Sequence, residues 1–238
     1  MEIKPYKHDA AYSYALGMAL TIELIRHKKN LVRKIYVHPD YVPKDEACNI
    51  FDVCDEALVP YEINQKIFRR LSTKENVYVI GVFNKLVVSA EHEKPHIVLV
   101  NPSDSGNLGT IIRTGLGFGF RDFAIISPGV DIYDPKTIRA SMGAFFRVRF
   151  SYYDSFEQYL REFSGQKIYP FMLDGKISLK DIKARPDEPF SLVFGNEAAG
   201  LPGVFHCYGE SIHISHNDEI DSLNLSVAVG IAAAVFAE

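Results

Sequence analysis

Cysteine is scarce in this chain, and neither sign of charge is in large excess. Three cysteines, Cys48, Cys54 and Cys207, stand among 238 residues without C-x-x-C spacing. That excludes a disulfide-stapled scaffold and leads to the expectation of reduced thiols in a cytoplasmic protein. A formal net charge of -4 excludes a globally basic nucleic-acid binder. Basic residues gather locally instead: Arg26, Lys28, Lys29, Arg33 and Lys34; Arg69, Arg70 and Lys74; Arg139, Arg147 and Arg149. Each group also fits an ordinary solvated face. Long apolar runs are missing too. The longest, Val227 to Ala237, is broken by Gly230 and is too short to span a bilayer, so no membrane partner is expected. The opening residues (Glu2, Lys4, Lys7, His8, Asp9) are polar and lack the layout of a signal peptide. Internal repeats and low-complexity tracts are absent. So is a G-x-x-x-x-G-K-[ST] phosphate loop. Gly115, Gly117 and Gly119 read G-x-G-x-G, late in a predicted helix. That spacing and place argue against a dinucleotide fingerprint, and hence against a nucleotide-dependent oxidoreductase, and suit helix packing and helix ending.

What remains is a chain with 47% hydrophobic residues, enough for buried cores, and a length that holds one large domain or two modest ones. A helix is predicted over Ala10 to Ile25 with Asp9 as its cap, then a strand over Lys34 to Val37, stopped by His38-Pro39-Asp40. Glu46 to Cys54 reads as a helix, Ala57 to Val59 as a strand, and Asn64 to Leu71 as a helix capped by Asn64. Val77 to Phe83 reads as a buried strand. This makes a small α/β module over 1–84. The polar stretch 85–95 reads as a linker, and the alternation restarts at His96. Strands are predicted at His96 to Val100, Phe123 to Ile126, Arg147 to Phe150, Lys167 to Phe171, Ser191 to Phe194 and Ser211 to Ile214. Helices are predicted at Gly106 to Phe118, Pro135 to Met142, Ser155 to Phe163 and Ser222 to Phe236. The second domain, 96–238, is therefore α/β with a mostly parallel sheet.

Three segments of this second domain carry unusual Asn and Gly usage. The first is Asn101-Pro-Ser-Asp-Ser-Gly-Asn-Leu-Gly-Thr-Ile-Ile-Arg-Thr114. It lies between a strand and a helix, where open α/β sheets bind ligands and where a helix N-terminus attracts anions. Arg113 sits in the first two turns, a permanently charged planar fork suited to a phosphate or a polarised hydroxyl. Taken alone, the segment equally fits a turn and an ordinary helix with a surface cation. The second is Leu192-Val-Phe-Gly-Asn-Glu-Ala-Ala-Gly-Leu-Pro202, which brings Gly195, Asn196 and Glu197 to a strand exit; Glu197 also fits a helix-capping acid. The third is Asp221-Ser-Leu-Asn-Leu-Ser-Val-Ala-Val-Gly230, with Ser222 as a natural N-cap and Asn224 in the first turn. The helix that follows is apolar around much of its circumference and needs burial on more than one side; a second copy of the chain would supply it. Cys207, His213 and His216 fit no standard zinc pattern, so no metal is expected. Asp131, Asp134 and Asp174 read as scattered carboxylates, and His38, His92 and His96 as loop or strand-edge residues.

In this order the three segments resemble the signature motifs of the SpoU (TrmH) branch of the SPOUT RNA methyltransferases. Ile138-Arg-Ala-Ser-Met-Gly-Ala-Phe-Phe-Arg147 is similar to a fourth family segment. The resemblance is strong over 97–238. Residues 1–84 resemble, more weakly, the small ribosomal-protein-like α/β domain by which many members bind RNA. The resemblance implies S-adenosyl-L-methionine as methyl donor, a ribose 2′-hydroxyl of rRNA or tRNA as acceptor, a homodimer and a deep trefoil knot. By motif, Arg113, Asn107, Glu197, Ser222 and Asn224 would form the catalytic set. Gly195, Glu197, Gly200, Leu201, Ile214, His216, Leu223 and Asn224 would hold the cofactor. Because a guanidinium stays protonated, Arg113 fits an electrostatic clamp on ribose-phosphate better than a free base. One stretch departs from the family: Ile-Pro-Met with a Gly two residues later is usual, whereas Ile214-Ser-His-Asn-Asp218 stands here. His216 and Asp218 thus raise the alternative of an RNA-binding protein that has lost catalysis.

Overall fold

The computed structural model describes residues 3–43, 49–71, 76–86, 88–182 and 186–237, which group into two compact units. The first contains Met1–Leu86 and Asp131–Arg147; the second contains Val87–Val130 and Val148–Glu238.

In the first unit, β1 (Tyr12–Leu16), β4 (Val79–Asn84), β2 (Val32–Val37) and β3 (Tyr61–Ile63) form a sheet in the order β1-β4-β2-β3. Side chains alternate across it with the two-residue period of a strand. Ile35 and Val37 pack on one face with Ile22 and Ile25 of α1 (Met18–Lys28) and Ile50 and Cys54 of α2 (Ile50–Ala57). Tyr36, Ile80 and Val82 pack on the other with Ile67, Phe68 and Leu71 of α3 (Gln65–Leu71).

The helix predicted from Ala10 is in its first half a strand. Tyr12–Leu16 pairs antiparallel with β4, and the helix starts only after Gly17, whose φ of 111° ends the strand. The run Tyr-Ser-Tyr-Ala-Leu satisfies both periods, and pairing with β4 decides between them. Ala57 ends a helix instead of opening a strand, because Leu58 caps α2 with left-handed backbone. The strand falls at Tyr61–Ile63. Residues 46–48 of the predicted second helix, with Cys48, lie outside the described residues, as do Lys74 and Glu75. Asn64 does cap α3, accepting from Lys66 N–H at 3.1 Å. α5 (Pro135–Ala140) belongs with this unit, although the sequence pattern ran the second domain unbroken from 96. Aromatic packing explains this: Phe83 lies against Phe145 and Phe146, and Ser13 Oγ donates to Tyr133 O at 2.5 Å.

The second unit is built on a five-stranded parallel sheet in the order β7-β6-β5-β10-β8. Its strands are β5 (His96–Val100), β6 (Asp122–Ile126), β7 (Arg149–Tyr153), β8 (Lys167–Pro170) and β10 (Phe190–Phe194). β5, β6 and β10 are buried at every residue, as continuous apolar strands covered on both faces should be. One face packs on α6 (Phe156–Glu162) through Phe156 and Tyr159. The other carries α4 (Ser105–Gly117) and α7 (Leu225–Phe236). A Cβ on Gly115 would lie 2.8 Å from Phe123 and 2.9 Å from Ile97, so only glycine lets α4 sit this close. A short parallel pair, β9 (Ile177–Ser178) and β11 (Ile212–His213), lies beyond the sheet; β9 has no signal in the sequence. His96 is fully buried, its Nδ1 2.8 Å from Tyr159 Oη, and is not an edge residue. Arg149 is held by Asp122 at 2.6 Å and Glu91 at 2.8 Å, which removes it from the basic group predicted with Arg139 and Arg147.

Candidate active site

The chain leaves β5 and crosses to β6 on one side, while β10 and β8 lie on the other. The order of the sheet therefore reverses between β5 and β10, and loops at the carboxyl ends of those strands frame the crevice where open α/β sheets bind ligands. Two of the three predicted segments exit there, Asn101–Asp104 after β5 and Gly195–Gly200 after β10.

Glu197 joins them. Its Oε2 accepts from Ser103 N–H at 2.9 Å and Ser103 Oγ at 2.6 Å. Its Oε1 accepts from Asp104 N–H at 3.0 Å and from Asn107 Nδ2 at 3.3 Å. Burial pulls this carboxyl upward, but the Ser103 hydroxyl and the surrounding N–H donors outweigh it and hold Glu197 below the ordinary glutamate range. It caps no helix of its own. Asp104 caps α4, accepting from Asn107 N–H at 2.7 Å. The third segment joins through Asn224, whose Nδ2 donates to Asn107 Oδ1 at 3.1 Å. Asn224, not Ser222, is the N-cap of α7, because its carboxamide oxygen accepts from Ser226 N–H at 2.9 Å. Ser222 lies exposed before the helix. Thus Asn107, Glu197 and Asn224 form one chain of hydrogen bonds. Arg113 stands exposed on α4, two turns beyond Asp104, and its guanidinium has no ion-pair partner among the described residues.

A cavity of about 390 Å³ opens beside this chain. Gly195, Glu197, Gly200, Leu201, Ile214, His216, Ser222 and Leu223 line it; Asn107, Arg113 and Asn224 do not. Its apolar wall is Phe171, Phe194, Ile212 and Leu225, with Phe171 stacked on Phe194 at 4.5 Å. Asn196 folds the loop: its Oδ1 accepts from Ala198 and Ala199 N–H, and its Nδ2 donates to Asn101 O at 2.8 Å. The turn is so tight that a Cβ on Gly195 would fall 2.1 Å from the Gly200 carbonyl carbon. His216 turns its Nδ1 back to Ile214 O at 2.9 Å, and the cavity stays open beside it. Asp218 is exposed and does not line it.

Sequence reasoning missed three residues. Ser103 lies inside the first segment, but a serine in a loop does not announce that it will bind a glutamate 94 positions away. Phe171 reads as core. Asp174, set aside as a scattered carboxylate, lines the cavity; its signal was its place in Asp-Gly just after a predicted strand. Among the described residues no group of three or more His, Cys, Asp or Glu is arranged to hold a metal ion, and no helix is long and apolar enough to cross a membrane.

The model of the SpoU rRNA Methylase family matches residues 94–234. A Listeria monocytogenes protein provisionally named as a tRNA (cytidine(34)-2′-O)-methyltransferase is 33% identical over 141 residues, 58% of this chain and 83% of that protein. The 23S rRNA (adenosine(1067)-2′-O)-methyltransferase of Streptomyces laurentii is 35% identical over 131 residues, 53% of this chain. The matched part spans only 48% of that enzyme. Among solved structures, an AdoMet-bound rRNA methyltransferase from Sinorhizobium meliloti superposes with a TM-score of 0.78 at 24% identity, over 95% of this chain and 87% of that one. That likeness shows the fold.

Proposed function

The chain belongs to the SpoU rRNA methylase family, and from this premise we propose that it transfers a methyl group from S-adenosylmethionine to a ribose 2′-hydroxyl of structured RNA. The observation that carries the reading is the convergence of three distant segments, through Glu197, Asn107 and Asn224, beside one cavity. The names of the relatives support the reaction, and both tRNA and rRNA occur among their substrates.

The residues present fit the cofactor. The cavity has the volume of a small-molecule site, with a flat aromatic and aliphatic wall for a base. Gly195 and Gly200 line it without side chains, which leaves room for a ligand to approach the main chain. Gly195, Glu197, Gly200, Leu201, Ile214, His216 and Leu223 would hold the molecule, which supplies an electrophilic methyl group when bound. A 2′-hydroxyl is a weak nucleophile and must lose its proton as it attacks. Arg113 would grip the ribose-phosphate and favour the developing alkoxide, while a neighbouring phosphate or water takes the proton. Asn107 and Asn224 fix one another and would orient the acceptor. Ser222, exposed at the cavity rim, would meet the substrate side. His216 and Asp218 leave the cavity open, which favours catalysis over an RNA-binding protein with a spoiled pocket.

The same proposal includes the family's deep trefoil knot. Supporting it is the close passage of Gly209 against the Ile168 carbonyl, 2.1 Å from an added Cβ. It also includes a homodimer. α7 exposes Val227 (49%), Ile231 (38%) and Val235 (38%) on one helical face. The first unit would grip folded RNA through Arg33, Arg69 and Arg70, and a cytoplasmic location suits the free thiols of Cys54 and Cys207. The test is incubation of the protein with methyl-labelled S-adenosylmethionine and total RNA from cells lacking the gene, followed by nucleoside analysis. Label in 2′-O-methylnucleosides supports the proposal; label confined to bases, or none, contradicts it.

A further inference from the structure

A serine, a histidine and an aspartate lie in line at the edge of the cavity. Ser211 is fully buried, and its Oγ accepts from Lys176 N–H at 3.2 Å. The same hydroxyl is hydrogen-bonded to His206 Nδ1, 2.9 Å away. On the other side of the ring, Nε2 lies 3.1 Å from Asp174 Oδ2. The histidine partner lowers the Asp174 carboxyl from its ordinary value, so the group is ionised at neutral pH. The order resembles a hydrolytic triad, but the accessible member is the wrong one. Nothing reaches the serine, whereas the Asp174 side chain is 76% exposed and lines the cavity. The arrangement therefore holds a carboxylate in place, and does not activate a hydroxyl.

We propose that Asp174 is a specificity residue of this cavity, oriented by His206 and Ser211, and that it accepts hydrogen bonds from the vicinal hydroxyls of the adenosyl ribose. The inference rests on the cofactor reading given above. Asp174 follows β8 at the carboxyl edge of a parallel sheet, where open α/β folds use an acidic side chain to bind ribose hydroxyls. The apolar wall of Phe171, Phe194, Ile212 and Leu225 suits a base, and the ribose carries the first donor pair beyond a base. A carboxylate has about four acceptor sites, and His206 takes one. Asp174 touches the ligand; His206 and Ser211 position it.

The test is calorimetric binding of S-adenosylhomocysteine and its 2′-deoxy and 3′-deoxy ribose analogues to the wild-type chain, Asp174→Ala, Asp174→Asn, His206→Ala and His206→Gln. At least one deoxy analogue should bind the wild type about tenfold more weakly than the parent. Asp174→Ala should bind the parent about tenfold more weakly and discriminate between parent and analogue by less than about twofold. His206→Ala should lose part of the discrimination, and His206→Gln, whose amide can still bridge, should regain it. A merely structural role would weaken parent and analogues alike. Asp174→Asn, nearly isosteric, repeats the measurement if the alanine variant does not fold. Undiminished discrimination in the Asp174 variants overturns the proposal. So does a lost preference for the parent over 5′-methylthioadenosine with ribose discrimination intact, which would assign Asp174 to the amino-acid tail. If the wild type binds no S-adenosylhomocysteine, with RNA or without, the cofactor reading fails and takes this inference with it.

Discussion

Glu197 is the residue whose replacement speaks most directly to how the site is held. Its two oxygens receive Ser103 N–H, Ser103 Oγ, Asp104 N–H and Asn107 Nδ2. Glu197→Gln keeps the size but substitutes an NH2 group for one acceptor, so either the Ser103 pair or the Asp104 and Asn107 pair faces a donor. Hydrogen bonds to a charged group contribute about 1.5–3 kcal/mol each in sheltered surroundings. Glu197 is half-buried and solvent screens it, so the net loss should be about 1–2 kcal/mol. For a chain of this length that lowers the melting midpoint by roughly 5 °C at pH 7. The effect should depend on pH in a known direction. The folded-state pKa of Glu197 lies below its unfolded value, so its contribution is complete above about pH 4.3 and is lost as pH falls through the folded value. Differential scanning calorimetry should therefore show the wild type and Glu197→Gln converging below about pH 4. Equal midpoints at pH 7, or a gap that persists unchanged into acid, would refute the claim that this carboxylate ties the two loops.

Three further outcomes are expected. Arg113→Ala should lower methyl transfer by about 10²–10³-fold with the affinity for S-adenosylhomocysteine nearly unchanged, measured by single-turnover labelling beside calorimetry; equal activity would remove Arg113 from the catalytic set. Gly195→Ala should abolish ligand binding or soluble expression, because the new Cβ falls 2.1 Å from the Gly200 carbonyl carbon, whereas Gly203→Ala, with nothing within 4 Å, should behave as wild type. Ile231→Asp on the exposed face of α7 should convert a dimer to a monomer in multi-angle light scattering; a wild type that is already monomeric would contradict the proposed assembly.

The second unit was the more legible half in the sequence, for a physical reason. Strands buried on both faces read as unbroken apolar runs, and His96–Val100 and Phe190–Phe194 lie within one residue of where the pattern put them. In the first unit β3 has only three residues, and β1, of five, runs straight into helix-spaced apolar residues. Tyr12–Leu16 therefore passed for the start of a helix until its pairing with β4 was in view. The candidate site was legible as three segments but not as contacts. Nothing local to Glu197 specifies Ser103, and nothing local to Asn224 specifies Asn107, since these pairs are 94 and 117 positions apart. Helix capping showed the same limit: Ser222 and Asn224 are both good caps by type, and only the hydrogen bond to Ser226 N–H separates them. Asp174 carries only the weak signal of an Asp-Gly pair after a strand, and its meaning comes from His206 and the buried Ser211.

We propose that the loops around Glu197 form a working pocket for the methyl donor despite His216 and Asp218. Calorimetric titration of the purified chain with S-adenosylmethionine and S-adenosylhomocysteine, with and without RNA, tests it most directly. Saturable binding of one molecule per subunit, or one per dimer if the two sites are asymmetric, is the expected result. Absence of binding in every arm, from a chain that melts cooperatively, would contradict it.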